Sequence, residues 1–493
     1  MVRGYIGAEI PELAMQPWYW RSRPLALRTG ADIFTALCRP QPLTAPHRLP
    51  FATLLESPYP PSPDCPQNSR YSICGGPPRQ HQGQPLVWIP PIGSILPCLR
   101  QRLHHAALAA AVTPNPDLPF TGGWLGWLGY DLAWEIEQLP YLKADELPFP
   151  VACWYEPDYF AVLDHQEQML WLAASDPRHL DPLESRLESA VLSPITAPDP
   201  LPLITPPDFQ TMQADYQAAV LQAQRYIQAG EIYQANLSVR FRVQTATDSW
   251  QLYRTLQQIN PSPFANYWQT PWGVILSCSP ERLVTLQGDR AQSRPIAGTR
   301  PRGNTPDQDH QLAAELLSNP KERAEHIMLV DLERNDLGRV CQWGSVQVDE
   351  LLTLERYSHV MHLVSNVSGQ LQPQGDAIDL IRALFPGGTI TGCPKVRCLE
   401  IIEALEPQRR SLFYGSCGYL DWRGHLDLNI LIRTLLLTDQ PASQQLPTPH
   451  WMVWGQVGAG IVADSDPLRE WEESLQKAQA QLAALGWVSA ATS

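Results

Sequence analysis

Four glutamates raise the question of chemistry first. Glu322 and Glu325 stand at i, i+3, and Glu470 and Glu473 repeat that spacing, with Lys477 four residues after Glu473. On a helix such pairs share a face. Carboxylates from two helices can hold Mg2+ through a few oxygens and leave positions for water and substrate. A solvated face competes with that reading: at about 100° per residue, Glu470, Glu473 and Lys477 fall opposite the stripe Trp471, Leu475, Ala478, Leu482 and Leu485. A second feature is PGGTITGCPK (386–395), rich in backbone N–H groups and ending in Lys395. Gly387 and Gly392 have phosphate-loop spacing, but Cys393-Pro394 stands where that loop needs Lys-Ser/Thr, which disfavours a nucleotide. A backbone nest for a carboxylate, with Lys395 adding charge, and a plain glycine turn both remain open. His362 shares a strand face with Val360 and Val364, where a hydrogen-bonded core histidine is the plainer reading. Arg433 follows the apolar run Asn429–Ile432, and a buried arginine calls for an anion such as a carboxylate. No Gly-x-Ser-x-Gly elbow or Cys/His signature supports a hydrolase.

These residues need elements to carry them. Asn319-Pro320 opens a helix with Glu322 in capping-box position, and Asp466-Pro467 opens the last helix. Asp208 caps a helix with the apolar stripe Phe209, Met212, Tyr216, Val220, Ala223 and Ile227, stopped by Gly230. Strand-like runs cover Trp272–Cys278, Tyr357–Val367 and Asn429–Leu437. Helices and strands mix without a strict βαβ rhythm. Fifteen prolines in 40–97 exclude long helices there. The proline cluster 194–207 reads as a linker between 1–193 and 208–485, and a polar loop spans Asp439 to His450.

Composition limits the classes. Lys+Arg number 36 against 50 Asp+Glu, a formal net charge of −14 that repels nucleic-acid backbones and anionic bilayers. A hydrophobic share of 44% with 17% charged residues is a globular balance. There is no apolar run of transmembrane length, no signal-peptide pattern, and no CxxC pair among the ten cysteines. The expectation is a cytoplasmic enzyme without nucleic-acid or membrane partners.

From about residue 208 to 484 the chain resembles the chorismate-utilising enzymes, in particular the large subunits (component I) of anthranilate and aminodeoxychorismate synthases. The blocks are GEIYQANLSVRF (230–241), SPERL (279–283), RPIAGTRPRG (294–303), KERAEHIMLVDLERNDLGR (321–339) and HVMHLVSNVSG (359–369). PGGTITGCPKVRCLEIIEALEP (386–407), IRTLLL (432–437), GAGIVADSDP (458–467) and EWEESLQKA (470–478) complete them. LLES (54–57) and GGWLGWLGYDLAWEIEQLP (122–140) match the family's N-terminal region. The resemblance implies an α/β (α+β) sandwich of two large, mostly antiparallel sheets with outer helices, to which residues 1–193 add strands. It implies Mg2+ on Glu322, Glu325, Glu470 and Glu473, holding the ring carboxylate of chorismate. Gly298, Thr299, Thr389 and Gly392 would form carboxylate-binding loops, and Arg433 with a Gly458-Ala459-Gly460 turn would grip the pyruvyl carboxylate. His362 becomes a candidate general acid at the departing C4 hydroxyl. Glu281 of SPERL is a further catalytic candidate, and Lys395 and Lys477 face carboxylates.

Gln234 stands where isochorismate-forming relatives carry a water-activating lysine, which favours ammonia as nucleophile. The chain has no glutaminase sequence of its own, so a separate glutamine amidotransferase subunit is expected to supply it. The stretch from Tyr233 to Leu237, with NPSPFANY (260–267), EPQRR (406–410) and GGTITG (387–392), looks more like aminodeoxychorismate synthases. Ala297, where many of those carry lysine, and Phe413, where the family usually has tyrosine, depart from the pattern. The expected product is 4-amino-4-deoxychorismate. The alternatives are anthranilate with pyruvate and, more distantly, a non-catalytic chorismate-binding relative. Glu56 and Ser57 of LLES resemble a tryptophan pocket, with a packed strand end as the plain alternative.

Overall fold

A computed structural model of the chain describes residues 18–38, 50–57, 70–107, 117–190, 203–357, 360–440 and 450–487. The expected linker lies outside these up to residue 202, as do 441–449 of the polar loop, much of the proline-rich 40–69 stretch, and Ser358 and His359. Two large sheets, of twelve and ten strands, form the body. Every strand pair between them is antiparallel, which makes the sandwich expected from the sequence. Strands from both sides of the 194–207 cluster share both sheets. In the larger one, Ala52–Glu56 pairs with Phe264–Thr270 in the register Glu56↔Ala265. In the smaller one, Gly123–Leu128 pairs with Ser416–Asp421.

Aromatic side chains fill the space between the sheets. Trp127 of one sheet meets Trp268 of the other edge-to-face at 5.9 Å, both fully buried. On the outer face of the larger sheet, Phe34, Trp250, Tyr253, Ala478 and Leu482 join a second core, so the helices Gly30–Leu37, Ser249–Ile259 and Pro467–Ala484 cover that side. Ala313 and Leu316 of the helix Pro306–Ser318 pack on Met361 and Leu363 of the smaller sheet.

Local sequence sets the two helix starts that matter. The Asn319 side chain accepts from the N–H groups of Lys321 and Glu322 (3.0 and 3.2 Å), opening the helix Pro320–Gly338. Asp466 accepts from the Arg469 N–H (2.9 Å) and opens Pro467–Ala484. Three expectations need correction. Asp208 does not cap a helix: Asp208–Phe209 is a short strand on Phe241–Arg242, the Asp208 carboxylate takes the Arg242 side chain, and the helix begins at Gln213. The run Asn429–Leu437 is two strands, Leu426–Asn429 and Thr434–Gln440, separated by an irregular corner with Arg433 at φ +51°. Gly458–Gly460 is no turn; it lies inside the strand His450–Ile461.

Candidate functional site

The two glutamate pairs come together from their two helices. Burial pushes the Glu325 carboxyl up; Lys321 opposes this, while Glu322, Glu473 and Glu470 push it further. Burial likewise raises Glu470, which is 6% exposed and therefore not on a solvated face. For Glu473 burial is outweighed by the ion pair with Lys477 (2.8 Å), and the carboxyl settles below its usual range. Glu322 accepts from Arg300 (3.2 Å), and Glu325 lies 3.7 Å from Lys321. Three of the four lean to cations of their own and Glu470 to Ser465, and no group of three or more His, Cys, Asp or Glu among the described residues converges on one metal position. The donor chemistry nevertheless fits a hard divalent cation: several carboxylates repel one another in a half-buried place, and a cation would relieve that repulsion.

A bulge links this group to His362. The strand Ile296–Pro301 shifts register between Ala297 and Thr299, with Gly298 at φ +67°. A Cβ on Gly298 would lie 3.0 Å from Glu322 Oε2, so this position needs glycine for both its backbone and its neighbour. Beyond the bulge, the Thr299 hydroxyl meets His362 Nδ1 at 3.0 Å. Burial and the nearby Arg433 hold the imidazole down to about 4, against smaller opposing effects of a hydrogen bond to the Gly298 backbone and of the Glu355 charge. His362 is therefore neutral at physiological pH. Ala297 brings only a methyl group to this strand.

Arg433, held at its corner, donates to the Lys477 carbonyl, which leaves further guanidinium donors for an anion. Lys477 Nζ donates to the Gly458 carbonyl (3.0 Å) as well as pairing with Glu473. The glycines of that strand make room for side chains opposite. A Cβ on Gly460 would overlap Gln234 Nε2, and one on Gly458 would overlap the Leu237 carbonyl oxygen and sit 3.0 Å from Asn236 Oδ1.

Next to this lies the glycine loop. Gly388–Ile390 forms a short 3-10 turn, and Gly392–Cys393 then pairs with Gln234–Ala235. Arg410, fully buried beside Glu406, donates to the carbonyls of Ile390 (2.8 Å) and Asn236 (2.7 Å), tying the loop to the strand. Three buried polar atoms here have no hydrogen-bond partner: Gln234 Oε1, Asn236 Oδ1 and Thr389 Oγ1. Glu281 is buried too, and desolvation pushes its carboxyl up to about 8. The Glu333 charge adds to that shift, while the Thr389 hydroxyl approaches and opposes it without reaching hydrogen-bond geometry.

Three candidates have partners within the protein. Lys395 was expected to add free charge to the loop; its Nζ instead donates to Asp336 Oδ2 (2.6 Å) and the Leu384 carbonyl (2.8 Å). Glu56 accepts from the Ala31 N–H, the Tyr253 hydroxyl and Gln257 Nε2 at 2.7–2.9 Å, and Ser57 bonds Ser72 and Tyr71. The sequence reading missed Asn236, the Arg410–Glu406 strut, and Glu333 with Asp336. The last two were findable, because Glu333 and Asp336 repeat the i, i+3 spacing of Glu322 and Glu325 on the same helix.

Comparison with known proteins identifies the family and the fold. The chain is 58% identical over 478 residues to an anthranilate synthase component I-like protein of Synechocystis sp., covering 96% of this chain and 93% of the relative. It is 45% identical over 386 residues to aminodeoxychorismate synthase component 1 of Bacillus subtilis, covering 75% and 78%. The fold matches the crystal structure of anthranilate synthase component I from Streptococcus pneumoniae with a TM-score of 0.67 at 31% identity, over 84% of this chain and 92% of that one. Residues 55–483 match the family described as chorismate binding enzyme; the chain belongs to that family and is a chorismate-utilising synthase.

Proposed function

We propose that the protein aminates chorismate in a Mg2+-dependent reaction, using ammonia delivered by a partner glutaminase, to give 4-amino-4-deoxychorismate. The observation that carries this is the set of unpartnered buried atoms on Gln234, Asn236 and Thr389, the last of them beside Glu281. Buried polar groups without partners are costly, so a polar ligand belongs there. Gln234 supports ammonia over water, since an amide cannot act as the base that water attack requires.

Glu322, Glu325, Glu470 and Glu473 would hold the cation, which when bound supplies positive charge for the ring carboxylate. The N–H groups of the 387–392 loop and the Arg433 guanidinium are suited to the carboxylates of such a substrate. In the net change a C–N bond forms, the C–O bond to the ring hydroxyl breaks, and the hydroxyl takes a proton to leave as water. Glu281, with its carboxyl raised to about 8, carries a proton at neutral pH and is the better donor. His362, neutral down to about 4, orients through Thr299 rather than donating as an imidazolium.

Ala297 favours a second reading. Without an amine there, ammonia is free to add at C2, and loss of water and pyruvate would give anthranilate. Product identity tests both readings: chorismate, Mg2+ and ammonium are supplied at alkaline pH and products are separated with mass detection. 4-Amino-4-deoxychorismate without anthranilate supports the first reading; anthranilate with pyruvate replaces it with the second. No turnover of chorismate would overturn both.

A further inference from the structure

We propose that Glu333 is a neutral, buried acid beneath the 387–389 turn, a positioning residue whose ionisation disables that turn as a carboxylate cradle. The proposal rests on reading the 387–392 loop as a substrate-carboxylate site.

The geometry begins with Ser293. Its hydroxyl lies 2.7 Å from Glu333 Oε2 and 3.0 Å from the Leu283 carbonyl oxygen, and all of this is buried. A hydroxyl has one proton, and a carbonyl can only accept. With Glu333 ionised, one of these two short oxygen–oxygen contacts would hold no proton. With Glu333 protonated, the acid donates to Ser293, Ser293 donates to Leu283, and both contacts are hydrogen bonds. The same chain fixes Leu283, two residues beyond Glu281 in sequence.

The other carboxyl oxygen faces the turn. Leu332 occupies the space where a Gly388 Cβ would stand, and Glu333 Oε1 lies 3.5 Å from that point. The Gly388 N–H is directed at Glu333, so a charge on Glu333 would sit directly under the turn and repel an incoming anion. A charged neighbour also favours the neutral form: Asp336, one turn on, is the carboxylate paired with Lys395. Glu281, on the loop before the strand Arg282–Gln287, is itself protonated below about 8 and adds negative charge only above that. Lys395, from the helix Lys395–Leu405, is the cation on the other side and is already bound to Asp336. Burial first, then Asp336, push the Glu333 carboxyl up to about 7, against Lys395, Ser293 and the Gly388 N–H.

The consequence is a pH-dependent affinity. As pH rises through about 7, Glu333 loses its proton and the cradle acquires a negative floor. The KM for chorismate in wild type should climb at least about fivefold between about pH 6 and pH 9, through like-charge repulsion at short range. Glu333→Gln, which copies the neutral acid, should keep the low-pH KM and lose the climb, while kcat keeps its own alkaline fall. A merely structural residue would leave the shape of the KM profile unchanged. Infrared difference spectroscopy gives a second readout that needs no substrate: wild type near pH 6 should show a protonated-carboxyl C=O band absent from Glu333→Gln. An unchanged KM climb in Glu333→Gln, or no lost band, overturns the proposal. If the protein turns over no chorismate, the reading of the reaction fails, and the infrared band still decides whether Glu333 holds its proton.

Discussion

Glu56 and Glu281 are both buried glutamates whose carboxyls desolvation raises, to about 7 and about 8. Their surroundings differ. Glu56 has three donors from Ala31, Tyr253 and Gln257, so its polar needs are met within the protein. Glu281 sits among atoms whose needs are not met: Thr389 Oγ1 beside it, with Gln234 Oε1 and Asn236 Oδ1 on the strand tied to the same loop. Equal burial therefore separates a pocket satisfied within the protein from one bordered by unpartnered polar atoms. The distinguishing quantity is the hydrogen-bond account, not the depth.

The comparison breaks most decisively at Glu281. Glu281→Gln should lower kcat for chorismate amination by about 10²–10⁴-fold, the range of a lost general acid, while Glu56→Gln leaves kcat near wild type. Comparable losses in both would erase the distinction. In wild type, kcat should fall as pH rises through about 8, because the donor works only while protonated. No limb is expected from His362 near pH 6, since its imidazole stays neutral down to about 4.

Next in size are the glutamates proposed to hold the cation. Glu325→Gln or Glu473→Gln should raise the Mg2+ concentration for half-maximal rate about 10–100-fold with little change in thermal midpoint. Wild-type Mg2+ dependence in both variants would remove them from the site.

Glu56 should reveal itself through stability. Glu56→Ala strands three buried donors and should cost about 3 kcal/mol or more, measured by denaturant unfolding, with KM unchanged. A carboxyl raised in the folded state contributes stability that is fully present below the usual glutamate value near 4.5. That contribution is lost as pH rises toward about 7. The thermal midpoint of Glu56→Gln should accordingly vary less than wild type over that window.

The smallest effect belongs to Thr389→Val. Removing a hydroxyl that already lacks a partner should leave stability within about 0.5 kcal/mol yet raise KM about three- to tenfold. A stability loss with unchanged KM would place Thr389 with Glu56 instead.

Much of the site was legible because short-range rules govern it. Asn319-Pro320 and Asp466-Pro467 start their helices where cap chemistry demands, and i, i+3 spacing put each glutamate pair on one face. The same spacing at Glu333 and Asp336 was available and went unused. Other readings failed where a distant segment decided the outcome. Asp208 had a helix-capping side chain, but pairing with Phe241–Arg242 drew it into a strand. Gly458 and Gly460 suggested a turn, although their small size serves Asn236 and Gln234 on the neighbouring strand.

The sequence by itself determined the family, the two capped helices, the carboxylate pairs and the presence of Gln234 in place of a base. These depend on residue type and on spacings within one element. Only the tertiary structure decided that Lys395 is bound to Asp336, that Glu56 is satisfied, and that Gln234, Asn236 and Thr389 are not. Periodicity reports which way a side chain leaves its own helix or strand. Whether a hydrogen-bond partner waits there depends on what the rest of the chain brings to the same place, in the case of Arg410 and Asn236 from 174 residues away.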